Sequence, residues 1–168
     1  LDAERACHAL ALAASDSGGV FENFGTMAKP WHGGRTAAAG LQAASLAAAG
    51  LKLACLTNKP TAFARPLLAA KGLDGFFAQV FGGDAFPRKK PDPLPLLETC
   101  RALGTPPAAT LMIGDSSNDV AAARAAGCPV VLLSHGYNHG EPVQAAGADA
   151  VLDRLDELPM LRGWRLPM

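Results

Sequence analysis

Residues 112–127 read MIGDSSNDVAAARAAG. An apolar run, TLMIGD (110–115), ends in Gly114-Asp115, and a second carboxylate, Asp119, follows four residues later. The run is short and continuous rather than alternating, the pattern of a strand buried on both faces. The alanines that follow, closed by Gly127, predict a helix over 118–126 with a left-handed glycine stop. A strand that turns directly into a helix is half of a βα unit. Its acids then stand at the carboxyl end of the strand, where open α/β sheets collect ligands.

The same grammar extends in both directions. LKLACLT (51–57), AQVFGG (78–83), PVVLLS (129–134) and AVLD (150–153) are further short apolar runs. Helical stretches at 35–49, 60–71 and 92–103 stop at Gly50, Gly72 and Gly104. Pro60, and Pro93 behind the N-cap candidate Asp92, sit where a first helical turn tolerates proline. Alternating strands and helices imply a doubly wound, Rossmann-like parallel α/β sheet over residues 35–168. Residues 1–34 read differently, as two short helical patterns broken by SDSGG and KPWHGG. They are expected to be a separate helical element that leads into the α/β body.

Bulk properties narrow the function. The 168 residues suit one domain with an ample core. Fifteen basic and fifteen acidic side chains cancel, which removes the electrostatic case for nucleic acid or an anionic membrane as partner. No apolar run approaches the roughly 20 residues needed to span a bilayer. The four cysteines, Cys7, Cys55, Cys100 and Cys128, form no CxxC pair, which fits a reduced, cytoplasmic setting. The sequence opens on Leu1, with Asp2, Glu4 and Arg5 close behind, unlike a signal peptide; it is expected to be a piece of a longer chain.

Three strand ends carry polar groups in a coordinated order. Thr57-Asn58 closes the 51–57 strand just before a helix starting at Lys59-Pro60, whose N–H groups would favour an anion. Taken alone, Asn58 is most simply an N-cap. Asp115, Ser116 and Asp119 place two carboxylates and a hydroxyl at one strand end. That suits a hard cation such as Mg²⁺, which takes one or two carboxylates plus phosphate oxygens. Between them lies PRKKPDP (87–93). Arg88 and Lys89 read as a solvated face. Lys90 precedes a proline, which biases it to extended backbone and aims one ammonium toward the strand ends.

LTNKP, RKKPDP and IGDSSNDVAAARAAG together resemble the second, third and fourth motifs of the haloacid dehalogenase (HAD) superfamily. Within it, GLKLACLTNKP, GGDAFPRKKPDPLPLL and SHGYNHGEP are similar to the phosphoglycolate phosphatases, over about Pro30 to Leu158. The resemblance implies that Thr57, Asn58 and Lys90 hold the substrate phosphate and that Lys90 also neutralises the nucleophile. It implies that Asp115 and Asp119 make the Mg²⁺ site, with Ser116 in support. The implied activity is hydrolysis of a small phosphorylated metabolite, 2-phosphoglycolate, through an aspartyl-phosphate.

The sequence departs from the family in one respect. The DxDGT-type motif that supplies the attacking aspartate, and the strand before it, are absent. Residues 1–34 correspond instead to the remnant of a helical cap and hinge. The expectation is therefore a sheet whose central strand is missing. Strands 51–57 and 110–115 would stand about 9–10 Å apart across an empty slot, and the chain as given would be inactive alone. The alternatives are a non-catalytic phosphate-binding or interaction protein on the same fold, or another phosphatase, a pyrophosphatase or a sugar-phosphate mutase. A dinucleotide fold ranks last, because FGGDAF lacks the required glycine spacing. His135 and His139 in SHGYNHG read as loop residues between glycines, His32 and Trp31 as hinge and packing.

Overall fold

The computed structural model describes residues 9–12, 50–134 and 141–160. Six strands form one sheet: β1 (Ala9–Leu12), β2 (Lys52–Leu56), β3 (Gln79–Phe81), β4 (Thr110–Gly114), β5 (Val130–Leu133) and β6 (Ala150–Leu152). Their order is β3-β2-β1-β4-β5-β6, and every neighbouring pair is parallel. That is the order of a doubly wound sheet, whose direction of winding reverses between β1 and β4. Helices α1 (Thr61–Ala70), α2 (Leu94–Leu103) and α3 (Ser117–Ala126) connect the strands, with 3-10 turns at Asp74–Phe76, Pro107–Ala109, Val143–Ala146 and Leu155–Met160.

The strands form where continuous apolar runs can be covered on both faces. Alternate residues of β4 and β5 divide between two cores. Met112, Val130 and Leu132 pack with Leu56 against Leu96 and Cys100 of α2 and Val120, Ala123 and Ala126 of α3. Leu111, Ile113 and Val131 pack on the opposite face with Leu53, Leu152, Leu155 and Leu158. Cys55 joins Leu68 of α1 and Val80 on that face. The glycine stops hold for α2 and α3, which end at left-handed Gly104 and Gly127. At α1 Lys71 intervenes before Gly72, which has φ +66°. Asp92 accepts the Leu94 N–H at 2.9 Å, so it caps α2 from just outside.

The expected open slot is not there. β1 lies between β2 and β4, pairing Leu12 with Cys55 on one side and with Ile113 on the other. An unpaired edge on each of two buried strands is costly, and a four-residue ALAL segment removes both. Residues 9–12 therefore belong to the sheet rather than to a cap element. The rest of 1–34, together with the helix expected over 35–49, His135, His139 and Cys7, lies outside the described residues.

Candidate functional site

The carboxyl ends of β2 and β4 flank that of β1, and the polar residues singled out in the sequence gather on them. Thr57 follows β2, and Asp115 and Ser116 follow β4. Lys90 arrives from the loop before α2. Thr57, Lys90, Asp115, Ser116 and Asp119 are all buried.

Lys90 is the bridge. Its ammonium donates to the Leu56 carbonyl at 3.0 Å and to Asp119 Oδ1 at 2.7 Å, so one side chain links the end of β2 to the first turn of α3. Lys90 is 5% and Asp119 1% exposed, which makes this a desolvated ion pair. Such a pair is costly to break by removing one partner. An ammonium has three protons, and the third on Lys90 has no partner among the described residues. By contrast exposed Arg88 pairs with half-buried Asp92 at the surface, as the sequence reading expects of a solvated face.

Asp119 organises the other side. Its Oδ2 accepts the Asp115 N–H at 3.0 Å, the Ser116 N–H at 3.2 Å and the Ser116 hydroxyl at 3.0 Å. Ser116 and Asp119 thereby form a capping box at the start of α3. Burial pushes the Asp119 carboxyl up. The Lys90 charge, its hydrogen bond and those from Asp115 and Ser116 outweigh burial and hold it below the ordinary carboxylate range. The geometry also explains Gly114. A Cβ there would overlap Cβ and Cγ of Asp119 and stand 2.5 Å from its Oδ2, so only glycine lets the carboxylate fold back over the strand end.

Thr57 donates its N–H to the Phe81 carbonyl at 3.0 Å, and its hydroxyl oxygen accepts the Lys59 N–H at 3.2 Å. The hydroxyl proton is left without a partner among the described residues. Asn58 caps no helix. Its Nδ2 donates to the Lys90 carbonyl at 2.8 Å and its Oδ1 accepts the Lys90 N–H at 3.1 Å.

Three residues that matter here went unassigned in the sequence. Asp84 accepts the Thr61 N–H at 2.8 Å and the Thr61 hydroxyl at 2.6 Å. These bonds hold its carboxyl below the ordinary value. The anion at the start of α1 is thus supplied by the protein itself. Gly82 and Gly83 make that possible: a Cβ on the first would overlap the Thr61 backbone, and on the second the Asn58 carbonyl. The signal was a Gly-Gly-Asp run directly at a strand's carboxyl end, legible as a close backbone approach.

The comparisons with known proteins point to one family. A family profile of haloacid dehalogenase-like hydrolases matches residues 27–127. The phosphoglycolate phosphatase of Thiobacillus denitrificans is 50% identical over 122 residues, covering 73% of this chain and 53% of that enzyme. A solved structure described as a predicted phosphoglycolate phosphatase from Haemophilus somnus superposes with a TM-score of 0.70. It is 38% identical and covers 71% of this chain and 53% of that one. The structure of CbbY from Rhodobacter sphaeroides in complex with phosphate superposes with a TM-score of 0.64. It is 30% identical and covers 72% of this chain and 54% of its own. The chain spans about half the length of the curated relatives it matches. With the parallel sheet in doubly wound order, the buried Lys90–Asp119 pair at its carboxyl edge and a profile match over more than half its residues, the chain belongs to the haloacid dehalogenase-like hydrolases.

Proposed function

We propose that this chain carries the phosphate grip and metal side of a magnesium-dependent phosphomonoester hydrolase, with 2-phosphoglycolate as substrate. The observation that carries the reading is the Lys90 ammonium. It is buried and fixed by Leu56 and Asp119, with one proton unpartnered among the described residues, at the same carboxyl edge of the sheet as the Thr57 hydroxyl. A phosphoryl oxygen is the acceptor that such a pair of donors suits, and charge developing on it would be stabilised without reorganisation. The identity to phosphoglycolate phosphatases supports the choice of substrate.

The donor set fits Mg²⁺ in a limited way. Asp115 is a hard oxygen ligand, and one or two carboxylates with phosphate oxygens and water suffice for this ion. Both oxygens of Asp119 are taken by four hydrogen bonds, so its part is to hold Lys90 and the Asp115 loop in place. No group of three or more His, Cys, Asp or Glu side chains forms a metal cluster among the described residues. When bound, Mg²⁺ would neutralise phosphate charge beside Asp115. Thr57 would donate its hydroxyl proton to the phosphate, and the Lys90 ammonium would oppose its charge.

A second reading has its own observation. β1 occupies the centre of the sheet as Ala-Leu-Ala-Leu, and the described residues put no carboxylate there to attack phosphorus. On this reading the chain binds phosphate without turning it over. The helix content contains no segment long and apolar enough to cross a membrane among the described residues. Cys55, Cys100 and Cys128 are buried as reduced thiols, which supports a cytoplasmic setting. The test is a pair of measurements with Mg²⁺ present. Inorganic phosphate should bind, and binding should weaken in Asp115→Asn. 2-Phosphoglycolate should be hydrolysed no faster than in buffer. A rate above buffer that Asp115→Asn abolishes would establish a nucleophile within the chain and discard the second reading.

A further inference from the structure

We propose that Asn58 is a positioning residue for Lys90 and not a ligand of the phosphate; this deepens, and rests on, the reading of Lys90 as the phosphate's cation. Three roles are open to an amide just past a β-strand: cap the next helix, touch the ligand, or tie down a loop. The first is taken, because Asp84 holds the Thr61 N–H and hydroxyl at the start of α1. The amide's oxygen and one of its N–H groups are committed elsewhere. They meet the N–H and carbonyl of a single residue, Lys90, at 3.1 and 2.8 Å.

The consequence follows from the shape of a lysine. Its flexible four-carbon stem leaves the ammonium a wide range of positions unless the backbone beneath it is fixed. Two opposed bonds from one planar amide fix both the position and the rotation of the Lys90 peptide groups. The ammonium end is then held by Leu56 and Asp119, so the side chain is pinned at its root and at its tip. Asn58 is itself held. The Gly83 backbone lies close against its carbonyl, and the Gly83 N–H donates to the neighbouring Lys59 carbonyl at 2.9 Å. Only an amide supplies both an acceptor and a donor in this geometry. Aspartate would keep the first bond and set a second oxygen against the Lys90 carbonyl.

The test is a double-mutant cycle on the whole chain, with binding of inorganic phosphate in the presence of Mg²⁺ followed by calorimetry. Asn58→Ala should weaken phosphate about tenfold, the effect of roughly one net hydrogen bond. In a Lys90→Ala background the same change should have no further effect, because a residue that acts only through Lys90 has nothing left to position. Additive losses in the double variant would overturn the proposal in favour of direct contact with phosphate. Wild-type affinity in Asn58→Ala would overturn it outright. Should Asn58→Ala not fold, Asn58→Ser takes its place in the cycle. If both fail to melt cooperatively while Lys90→Ala does, Asn58 serves the fold and the proposal falls. A wild-type chain that binds no phosphate, with or without Mg²⁺, refutes the functional reading itself and the inference with it.

Discussion

Asp119→Asn is nearly isosteric, yet the structure makes it a severe change. The carboxylate receives Lys90 on Oδ1 and three donors on Oδ2, from Asp115 N, Ser116 N and Ser116 Oγ. An asparagine has one oxygen and one NH₂ group. If the oxygen faces the loop, the NH₂ confronts a buried ammonium. If it faces Lys90, the NH₂ confronts three donors. Either orientation leaves buried donors without an acceptor and cancels the charge that neutralises Lys90. Removing one member of a buried pair typically costs about 3–5 kcal/mol, a large share of a domain's roughly 5–15 kcal/mol. In urea, with a slope of about 1–3 kcal/mol per molar, the midpoint should fall by roughly 1 M or more. Adding Lys90→Met to Asp119→Asn removes the stranded cation and should recover part of the loss, a coupling of about 2 kcal/mol or more. The pH dependence has a definite sign. The folded carboxyl titrates below its ordinary 3.8, so its contribution is complete above that value and is lost as pH falls through the lower, folded one. The gap between wild type and Asp119→Asn should therefore stay constant from about pH 7 to 5 and narrow only below about pH 4. A variant within about 0.5 kcal/mol of wild type at pH 7, or a gap that widens in acid, would refute the reasoning.

The remaining predictions are simpler. Gly114→Ala drives a methyl into the folded-back Asp119 side chain and should cost about 1–3 kcal/mol in urea melts; a neutral result would mean that Asp119 moves aside freely. Lys90→Ala should weaken Mg²⁺-dependent phosphate binding severely while leaving it measurable, whereas Arg88→Ala and Lys89→Ala leave both binding and melting temperature close to wild type. Equal losses at all three positions would return the basic run to a diffuse patch.

Five of the six strands were legible because a parallel sheet buried on both faces leaves a continuous apolar run, and LKLACLT, TLMIGD and PVVLL are such runs. β1 was not. Ala and Leu are the strongest helix formers, so CHALALAA reads as helix in isolation. Its strand conformation comes from the unpaired edges of β2 and β4 on either side, and that demand is tertiary. At the site, the order of Thr57, Lys90, Asp115 and Asp119 along the chain told which residues gather. Which atom meets which was hidden, because the pairings Asn58–Lys90 and Lys90–Asp119 span 32 and 29 positions. Asn58 shows the limit most clearly. Cap, ligand and clamp all require the same amide, and only the backbone of a distant loop decides among them.

The placement of β1 also governs how the molecule can be assembled. β3-β2 and β4-β5-β6 share no ladder of their own, and the backbone hydrogen bonding of the described sheet passes from one half to the other through the four residues of β1. β1 leaves the ribosome before either neighbour, with both of its edges unsatisfied. Pairing Ala9 with Thr110 closes a loop more than twice as long as pairing it with Lys52, at an extra entropic cost of about 0.8 kcal/mol. That difference is too small to dictate an order, so the two halves compete for a strand that each can pair on one side only. Until both have docked, the open side of β1 is an edge on which the matching half of another chain could pair, and exchange of sheet halves between molecules is the error to which this topology is most exposed.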